Sequence, residues 1–366
     1  MESNKSIRVL HIVTSIDIGG VGTFLLSYYK KMNRAKVQFD IVTIDIGKEQ
    51  LYEASFKSLG AKIYYMPKNY WKRLIFLFQL IRQGNYNIVH SHIELASAIY
   101  LLIAKSLGIK HRIAHAHMAF CKYESFSQKF LRFLLLHVAT IKMGCSADAL
   151  ITLFGPSVHD GIILHNAIDI NKFSFNPAVR NEYRKNFNID DKYVIGFVGR
   201  LTDQKNVFFL LDIFQAFSVR HPSAILMVVG DGELHNSFFD YAEKKELTKK
   251  ILHLEARQDV CELMKAMDVL LLPSKWEGLG IVLIEAQASS LKCIAAKETI
   301  PYKDTNISEY INYCSINAPA EVWANIIEQN CIDYERVNVD EKIRNHHYDI
   351  NLEANKLTEF YCKIVI

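Results

Sequence analysis

Two glutamates with seven residues between them, Glu277 and Glu285, flank a glycine-broken junction in the stretch PSKWEGLGIVLIEAQASS (residues 273–290). Carboxylates accept hydrogen bonds and suit the hydroxyl groups of a sugar or a ribose. Between the two acids, Gly278 and Gly280 punctuate the passage from an apolar strand-like run into a helix-like one. A helix start leaves backbone N–H groups without intrahelical partners and carries partial positive charge, so the amides of residues 279–282 could receive a phosphate. One acid before a phosphate cradle and another about a turn inside the helix suit a ligand with hydroxyls on both sides of a phosphate. A nucleotide sugar is such a ligand. Taken alone, Glu285 could equally oppose the helix dipole, worth about 0.3–1 kcal/mol, and Glu277 could be a solvated loop acid.

The chain offers cations and glycines to match. GFVGRLTDQKN (196–206) closes an apolar run with Gly199 and then places Arg200 and Lys205 five residues apart. A planar fork of donors and a point charge together suit a diphosphate, although an ordinary exposed loop carries the same residue types. VVGDGEL (228–234) ends another run with Gly230 and Gly232, which fit a base or ribose contact and fit a plain turn equally. DIGGVGTFLL (17–26) sets Gly19 and Gly20 before a helix-like run. Glycine there lets backbone approach a ligand, but the spacing is not that of a dinucleotide fingerprint. HSHIE (90–94) and HAHMAF (115–120) put His90, His92, His115 and His117 at the ends of two further strand-like runs, and alternation sends each H-x-H pair to one face. No cysteine or acid completes a known metal spacing around them, and no metal is expected.

Elements must bring these residues together. Strand-like runs at IRVLHIV, FDIVTI, KIYYMP, NIVHSH, HRIAHAH and MGCSADAL alternate with helical patterns around 21–32, 50–59, 72–83, 95–107 and 126–138. A second series runs through KYVIGFVGR, AILMVVGDG, ILHLEA, VLLLPS and KCIAA, again with helices between. This is α/β ordering with mostly parallel sheets. It predicts two Rossmann-like doubly wound domains, over residues 1–170 and 171–345, facing a central cleft. The polar passage ILHNAIDINKFSFNPAVRNEY is expected to link them, and an amphipathic helix within 346–366 to pack back on the first. In such sheets ligands gather beyond the carboxyl ends of the strands.

Composition narrows the function. With 366 residues, half of them apolar, the chain is too long for one ordinary core and suits two. No run of about 18 apolar residues and no cleavable leader is evident, so a cytoplasmic location is expected. The seven cysteines, from Cys121 to Cys362, show no C-x-x-C spacing and read as reduced thiols. Residues 1–170 carry 20 Lys and Arg against 11 Asp and Glu, whereas residues 171–366 carry 23 against 28. The excess gathers beside aromatic and aliphatic residues in KNYWKRLIFLFQLIRQ and KYESFSQKFLRFLLLHVATIKM. Two readings stand for these segments: basic amphipathic helices lying on an anionic membrane surface, or core helices with a solvated basic face. Nucleic acid is not an expected partner, because the basic residues sit among bulky apolar ones without a binding motif.

In their order along the chain, GG after the first strand, AHAH, NAIDINKF, GFVGRLTDQKN, VVGDGEL, EARQDV and EGLGIVLIEA resemble the retaining nucleotide-sugar glycosyltransferases of the GT-B fold. The resemblance runs from about residue 7 to residue 296, and HSH, RIAHAH, CSADA and IVLIEAQASSLKCIA look most like the bacterial enzymes that build capsule and exopolysaccharide. It implies that Glu277 touches the donor sugar and Glu285 binds ribose hydroxyls. It further implies that Arg200 and Lys205 hold the diphosphate and stabilise the leaving group. Gly20, Gly230 and the amides near Gly280 and Ile281 would approach the donor, and His117 would contact its sugar near the anomeric carbon. Glu277, His117, Arg200 and Lys205 are then the catalytic set. The expected donor is a UDP-sugar and the expected acceptor a growing, lipid-linked glycan at the inner face of the cell membrane. No cofactor is implied, and the absence of any D-x-D means that the sequence requires no metal. A nucleotide-sugar epimerase of similar fold and a non-catalytic sugar-nucleotide-binding protein are the alternatives.

Overall fold

The computed structural model describes residues 6–17, 20–119, 123 and 125–365, so Gly19 and Cys121 lie outside the described residues. The chain divides into two compact units, Met1–Ile168 with Asp349–Ile366, and Asp169–Tyr348.

The first unit is built on a parallel sheet of β1 (Ile7–Ile12), β2 (Val37–Ile44), β3 (Lys62–Met66), β4 (Ile88–Ser91), β5 (His111–Ala116), β6 (Ile141–Gly144) and β7 (Ile162–Ile163). Their order across the sheet is β3-β2-β1-β4-β5-β6-β7, every neighbouring pair parallel. Parallel neighbours need a long crossover, supplied here mostly by helices. Those that bear on function are α1 (Gly20–Lys31), α2 (Tyr70–Gly84), α3 (Ser97–Ser106) and α4 (Phe126–Val138). Their ends are set locally: Asn69 accepts the Lys72 amide at the start of α2, left-handed Asn85 closes it, and Ser125 with Gln128 forms a capping box on α4.

The second unit has β8 (Val194–Val198), β9 (Ile225–Val229), β10 (Ile251–Leu254), β11 (Val269–Leu272), β12 (Lys292–Ala296) and β13 (Ile311–Cys314). They lie in the order β10-β9-β8-β11-β12-β13, all parallel. VLLL of β11 is buried throughout, the mark of a strand covered on both faces. In this unit α5 (Ile281–Ala288) follows β11. The strand order reverses between β1 and β4 in one sheet and between β8 and β11 in the other, the places where loops diverge and leave room for a ligand.

The last helix, α6 (Ile350–Val365), carries Ile350, Ala354, Leu357 and Tyr361 on one buried face and packs against α1, β1 and β2. It therefore belongs to the first unit, entered through a parallel bridge between Ile168 and Asp349.

Four segments differ from expectation. MGCSADAL is not all strand: β6 stops at Gly144, and Ser146 accepts the Ala149 amide to start the helix Ala147–Phe154. The passage expected as a polar linker is folded, with Asn176 capping the helix Pro177–Asn186 and Arg180 and Arg184 both reaching Asp268, just before β11. Edge strands β7 and β13 are unforeseen because one has two residues and the other, INYC, mixes polar and apolar types without a period. No helix among the described residues is long and apolar enough to cross a membrane.

Candidate functional site

At the switch point of the second sheet, the loops after β8 and β11 are tied to each other. Lys205, at the end of a 3₁₀ turn, sets Nζ 2.5 Å from Glu277 Oε1. The same oxygen accepts Ser274 Oγ at 2.6 Å, and the Ser274 carbonyl accepts Thr299 Oγ1 at 2.6 Å. Gln204 Nε2 donates to the Trp276 carbonyl at 2.9 Å, and the Lys275 amide donates to the Gln204 carbonyl at 2.8 Å. Glu277 is only 6% exposed. A carboxylate removed from water to that extent is costly unless paired, and the lysine and the serine supply its pairing. Arg200 stands exposed after Gly199, with no ion-pair partner among the described residues. Gly230, at φ 125°, has the Gly199 carbonyl 2.3 Å from where a Cβ would lie, so only glycine lets the loops after β8 and β9 meet.

Glu285 is in a different electrostatic state. Gly280 turns the chain in a left-handed conformation, φ 77°, directly into α5, and Glu285 follows as its fifth residue. Half-buried, its carboxylate has no hydrogen-bond or ion-pair partner among the described residues, and burial pushes its pKa up to about 7. The two acids of one motif thus differ sharply: Glu277 is neutralised by Lys205, and Glu285 is an acceptor without a donor. The amides of Ile281 and Val282 head the same helix. Arg200, Lys205, Gly230, Glu277, Gly280, Ile281 and Glu285 all belong to the loops and helix starts that follow β8, β9 and β11.

Gly20 and His117 belong to the first unit. Gly20 is the exposed first residue of α1. His117 follows β5, half-buried, with Nε2 2.8 Å from His92 Nδ1. His92 Nε2 lies 3.0 Å from His11 Nδ1, and His90 Nε2 lies 3.2 Å from His115 Nδ1. Five imidazoles therefore line up across β1, β4 and β5, because His11 is in register with His90. Burial pushes the pKa of His117 and of His11 down to about 3. Burial, reinforced by the neighbouring rings, drives His90, His92 and His115 well below the usual histidine range. At neutral pH these rings are uncharged, so His117 can act there as a hydrogen-bonding group rather than a cation.

Two contributors escaped the sequence reading. His11 sits inside an apolar run, where a single histidine gives no signal. Glu94 occupies a left-handed conformation, φ 45°, with a carboxyl that burial pushes up to about 7. Its Oε1 accepts the His117 amide at 2.8 Å, so it clasps the end of β5 from β4. Its place in HSHIE, directly after a strand, was the available clue.

Comparison with known proteins agrees with this architecture. Residues 179–346 match the family Glycosyl transferases group 1, and residues 18–155 match Glycosyltransferase Family 4. Over 338 residues the chain is 31% identical to EpsF of Bacillus subtilis (strain 168), by name a glycosyltransferase, covering 87% of this chain and 86% of that one. The chain belongs to the group 1 glycosyltransferases. This glycosyltransferase is also 28% identical over 242 residues to the UDP-Gal:alpha-D-GlcNAc-diphosphoundecaprenol alpha-1,3-galactosyltransferase of Escherichia coli, covering 62% of this chain and 61% of that one. HepE of Anabaena, solved in complex with UDP, superposes with a TM-score of 0.80 over 98% of this chain and 100% of that one, at 16% identity. The shared fold is GT-B.

The unpartnered Glu285 gives the glycosyltransferase a measurable stability signature. A carboxyl whose pKa rises from 4.5 to about 7 on folding destabilises the folded state once it ionises. The stability it allows is fully present below pH 4.5 and is lost as pH rises through 7. Glu285→Gln removes that loss, by up to about 3 kcal/mol at 1.36 kcal/mol per unit. Thermal melts of both proteins at pH 5 and pH 8 should show the variant ahead, by more at pH 8. An equal difference at both pH values, or a less stable variant at pH 8, would contradict the assignment.

Proposed function

We propose that this glycosyltransferase moves one sugar from a UDP-linked donor to a growing, lipid-linked glycan in surface polysaccharide biosynthesis, with retention of anomeric configuration and without a required metal. The observation that carries the reading is the Lys205–Glu277 ion pair set beside the unpartnered Glu285 at the head of α5. Glu285 accepts the ribose hydroxyls, the amides of Gly280 and Ile281 with Arg200 and Lys205 hold the diphosphate, and Gly230 lets the loop after β9 approach the nucleoside. Glu277, beside Lys205, receives a hydroxyl of the donor sugar, so that an acid and a cation adjoin where sugar meets phosphate. His117 is a neutral hydrogen-bonding group, the property that its expected contact with a donor sugar requires.

Transfer breaks the bond from the anomeric carbon to the β-phosphate oxygen, whose electron pair stays with the departing UDP. Arg200, Lys205 and the helix amides oppose the growing negative charge with preorganised positive charge. The acceptor hydroxyl attacks from the same face, and its proton passes to the departing phosphate, so no enzyme nucleophile is consumed. The Escherichia coli relative supports this reading with a UDP-linked donor, an alpha linkage and a diphosphoundecaprenol acceptor in its name.

The lipid-linked acceptor agrees with the surface of the first unit. Helix α3 packs against both α2 and α4. Within α4 only Leu135 and Val138 are buried, and within α2 only Leu77 and Ile81. Phe126, Phe130 and Phe133 follow one another at helical spacing on an exposed face of α4, Phe126 88% exposed, and Trp71 on α2 is 72% exposed. Lys72 and Lys129 stand exposed among them. Aromatic residues with interspersed lysines suit the headgroup region of an anionic bilayer better than a solvated face, because so much apolar surface is uncovered.

Three experiments follow. Thermal-shift screening against UDP-, GDP-, ADP- and dTDP-sugars should single out a UDP-sugar, by about 2.7 kcal/mol at a hundred times its dissociation constant. With that donor in excess chelator and a lipid-diphosphate-linked saccharide as acceptor, NMR should show an α-linked product from an α-linked donor. A β-linked product, activity restored only by one added metal, or UDP release without a glycoside would overturn the reading. For the membrane face, flotation with anionic vesicles should recover the protein, fade with added salt and drop sharply for Phe126→Ser with Phe130→Ser. Equal recovery with neutral vesicles, or none with either, would remove it.

A further inference from the structure

The histidine cluster of the first unit has a bonding pattern that sugar contact alone does not require. Among the described residues its ring hydrogen bonds run only to other imidazoles and to Tyr361 Oη, which lies 2.8 Å from His90 Nδ1. Two chains result, His11–His92–His117 and Tyr361–His90–His115. Each ends in a buried ring nitrogen without a partner, Nε2 of His11 and Nε2 of His115. A buried imidazole nitrogen left unpaired is costly, and His115 is fully buried. His92, His115 and His117 each present one ring nitrogen, the three within 4.8 Å of one another.

We propose that His92, His115 and His117 form a binding site for one transition-metal cation of the zinc class, held by three neutral imidazoles with His117 at the accessible end.

One set of tautomers keeps the Tyr361–His90, His90–His115 and His92–His11 hydrogen bonds and frees all three ligand atoms, the His92–His117 hydrogen bond giving way to the metal. His90 donates Nδ1–H to Tyr361 Oη and accepts His115 Nδ1–H at Nε2, which leaves the His115 Nε2 lone pair for the metal. His92 donates Nε2–H to His11 Nδ1, which leaves its own Nδ1. His117 carries its proton on Nδ1 and offers Nε2. No net proton is released, because each ring keeps one proton and only its nitrogen changes, with the metal-bound form carrying it on Nε2 of His92, Nε2 of His11 and Nδ1 of His117. His11 and His90 then orient the ligands from behind, as the outer partners of metal-bound histidines do. Two nitrogens on one tetrahedral zinc lie roughly 3.3 Å apart, from Zn–N bonds of about 2.0–2.1 Å. His92 Nδ1 and His117 Nε2 now stand 2.8 Å apart, so the rings need to part by about half an ångström. A fourth ligand, from water or a ligand oxygen, completes the shell on the half-buried His117 side.

The test uses the full chain without an affinity tag, stripped with chelator and titrated with Co²⁺. The visible bands of a tetrahedral nitrogen-ligated Co²⁺ should appear, saturate at one ion per chain and vanish when Zn²⁺ displaces it. His115→Ala should abolish them, and His90→Ala, which removes only an outer partner, should weaken binding about 10–100-fold. His117→Gln, at the accessible end, is measured beside them, with far-UV circular dichroism, so that a collapsed core variant does not decide the result. Asp231, His235 and His253 form another group of suitable spacing in the second unit. His253→Ala should therefore leave the signal unchanged. Absence of the bands, their persistence in folded His117→Gln, or their loss in His253→Ala would overturn the site. Because metal binding is read without donor or acceptor, its failure leaves the transfer reading standing, and failure of transfer leaves the metal reading standing.

Discussion

Glu277 is taken almost wholly out of water, and a carboxylate in that position persists only with a positive partner. Lys205 is that partner, and the need to bring it there disciplines the surrounding backbone. The pair joins the loop after β8 to the loop after β11, the two strands between which the sheet changes direction. Gln204, Lys275, Ser274 and Thr299 then fix both loops with further hydrogen bonds. The result is a rigid anion-and-cation pair at the carboxyl edge, beside the head of α5 and its unpartnered glutamate. Chemistry at a sugar phosphate needs such an arrangement held before the ligand arrives, since groups that must reorganise on binding lose part of their effect.

Much of this was legible from residue types and spacing. Parallel strands buried on both faces read as continuous apolar runs, which is why VLLL, KCIAA and VVGDG announced themselves and carried the site glycines with them. Arg200, Lys205, Glu277 and Glu285 could be named because each follows such a run. Their mutual arrangement could not. That Lys205 faces Glu277 while Glu285 has no cationic partner among the described residues depends on which strands are neighbours, a property of strand order rather than of any local pattern. Ser146 shows the opposite limit: one capping side chain turned an expected strand end into a helix start. The folded segment before β8 hid because its interactions, Arg180 and Arg184 with Asp268, span more than eighty residues.

The histidines make the same point in the first unit. Two H-x-H pairs were visible, but the fifth ring, His11, and the hydroxyl of Tyr361 join only because β1 lies between β2 and β4 and because α6 returns to cover α1. Burial then sets the chemistry, holding all five rings neutral and leaving Glu94 to secure the His117 backbone. The exposed aromatic face of α2 and α4 was also half-legible. Composition gave the basic and aromatic residues, and only the packing shows that nothing in the described chain covers Phe126, Phe130 or Trp71.

The central claim is that the two acids of the glycine-broken motif address different parts of one donor, and calorimetry with UDP alone tests it most directly. Glu285→Ala should weaken UDP binding about 10–100-fold, the loss of a charged acceptor worth about 1.5–3 kcal/mol. Glu277→Ala should bind UDP as well as the parent protein or better, because it releases Lys205 to the diphosphate. Equal loss of UDP affinity in both variants, or loss in Glu277→Ala with retention in Glu285→Ala, would contradict the account.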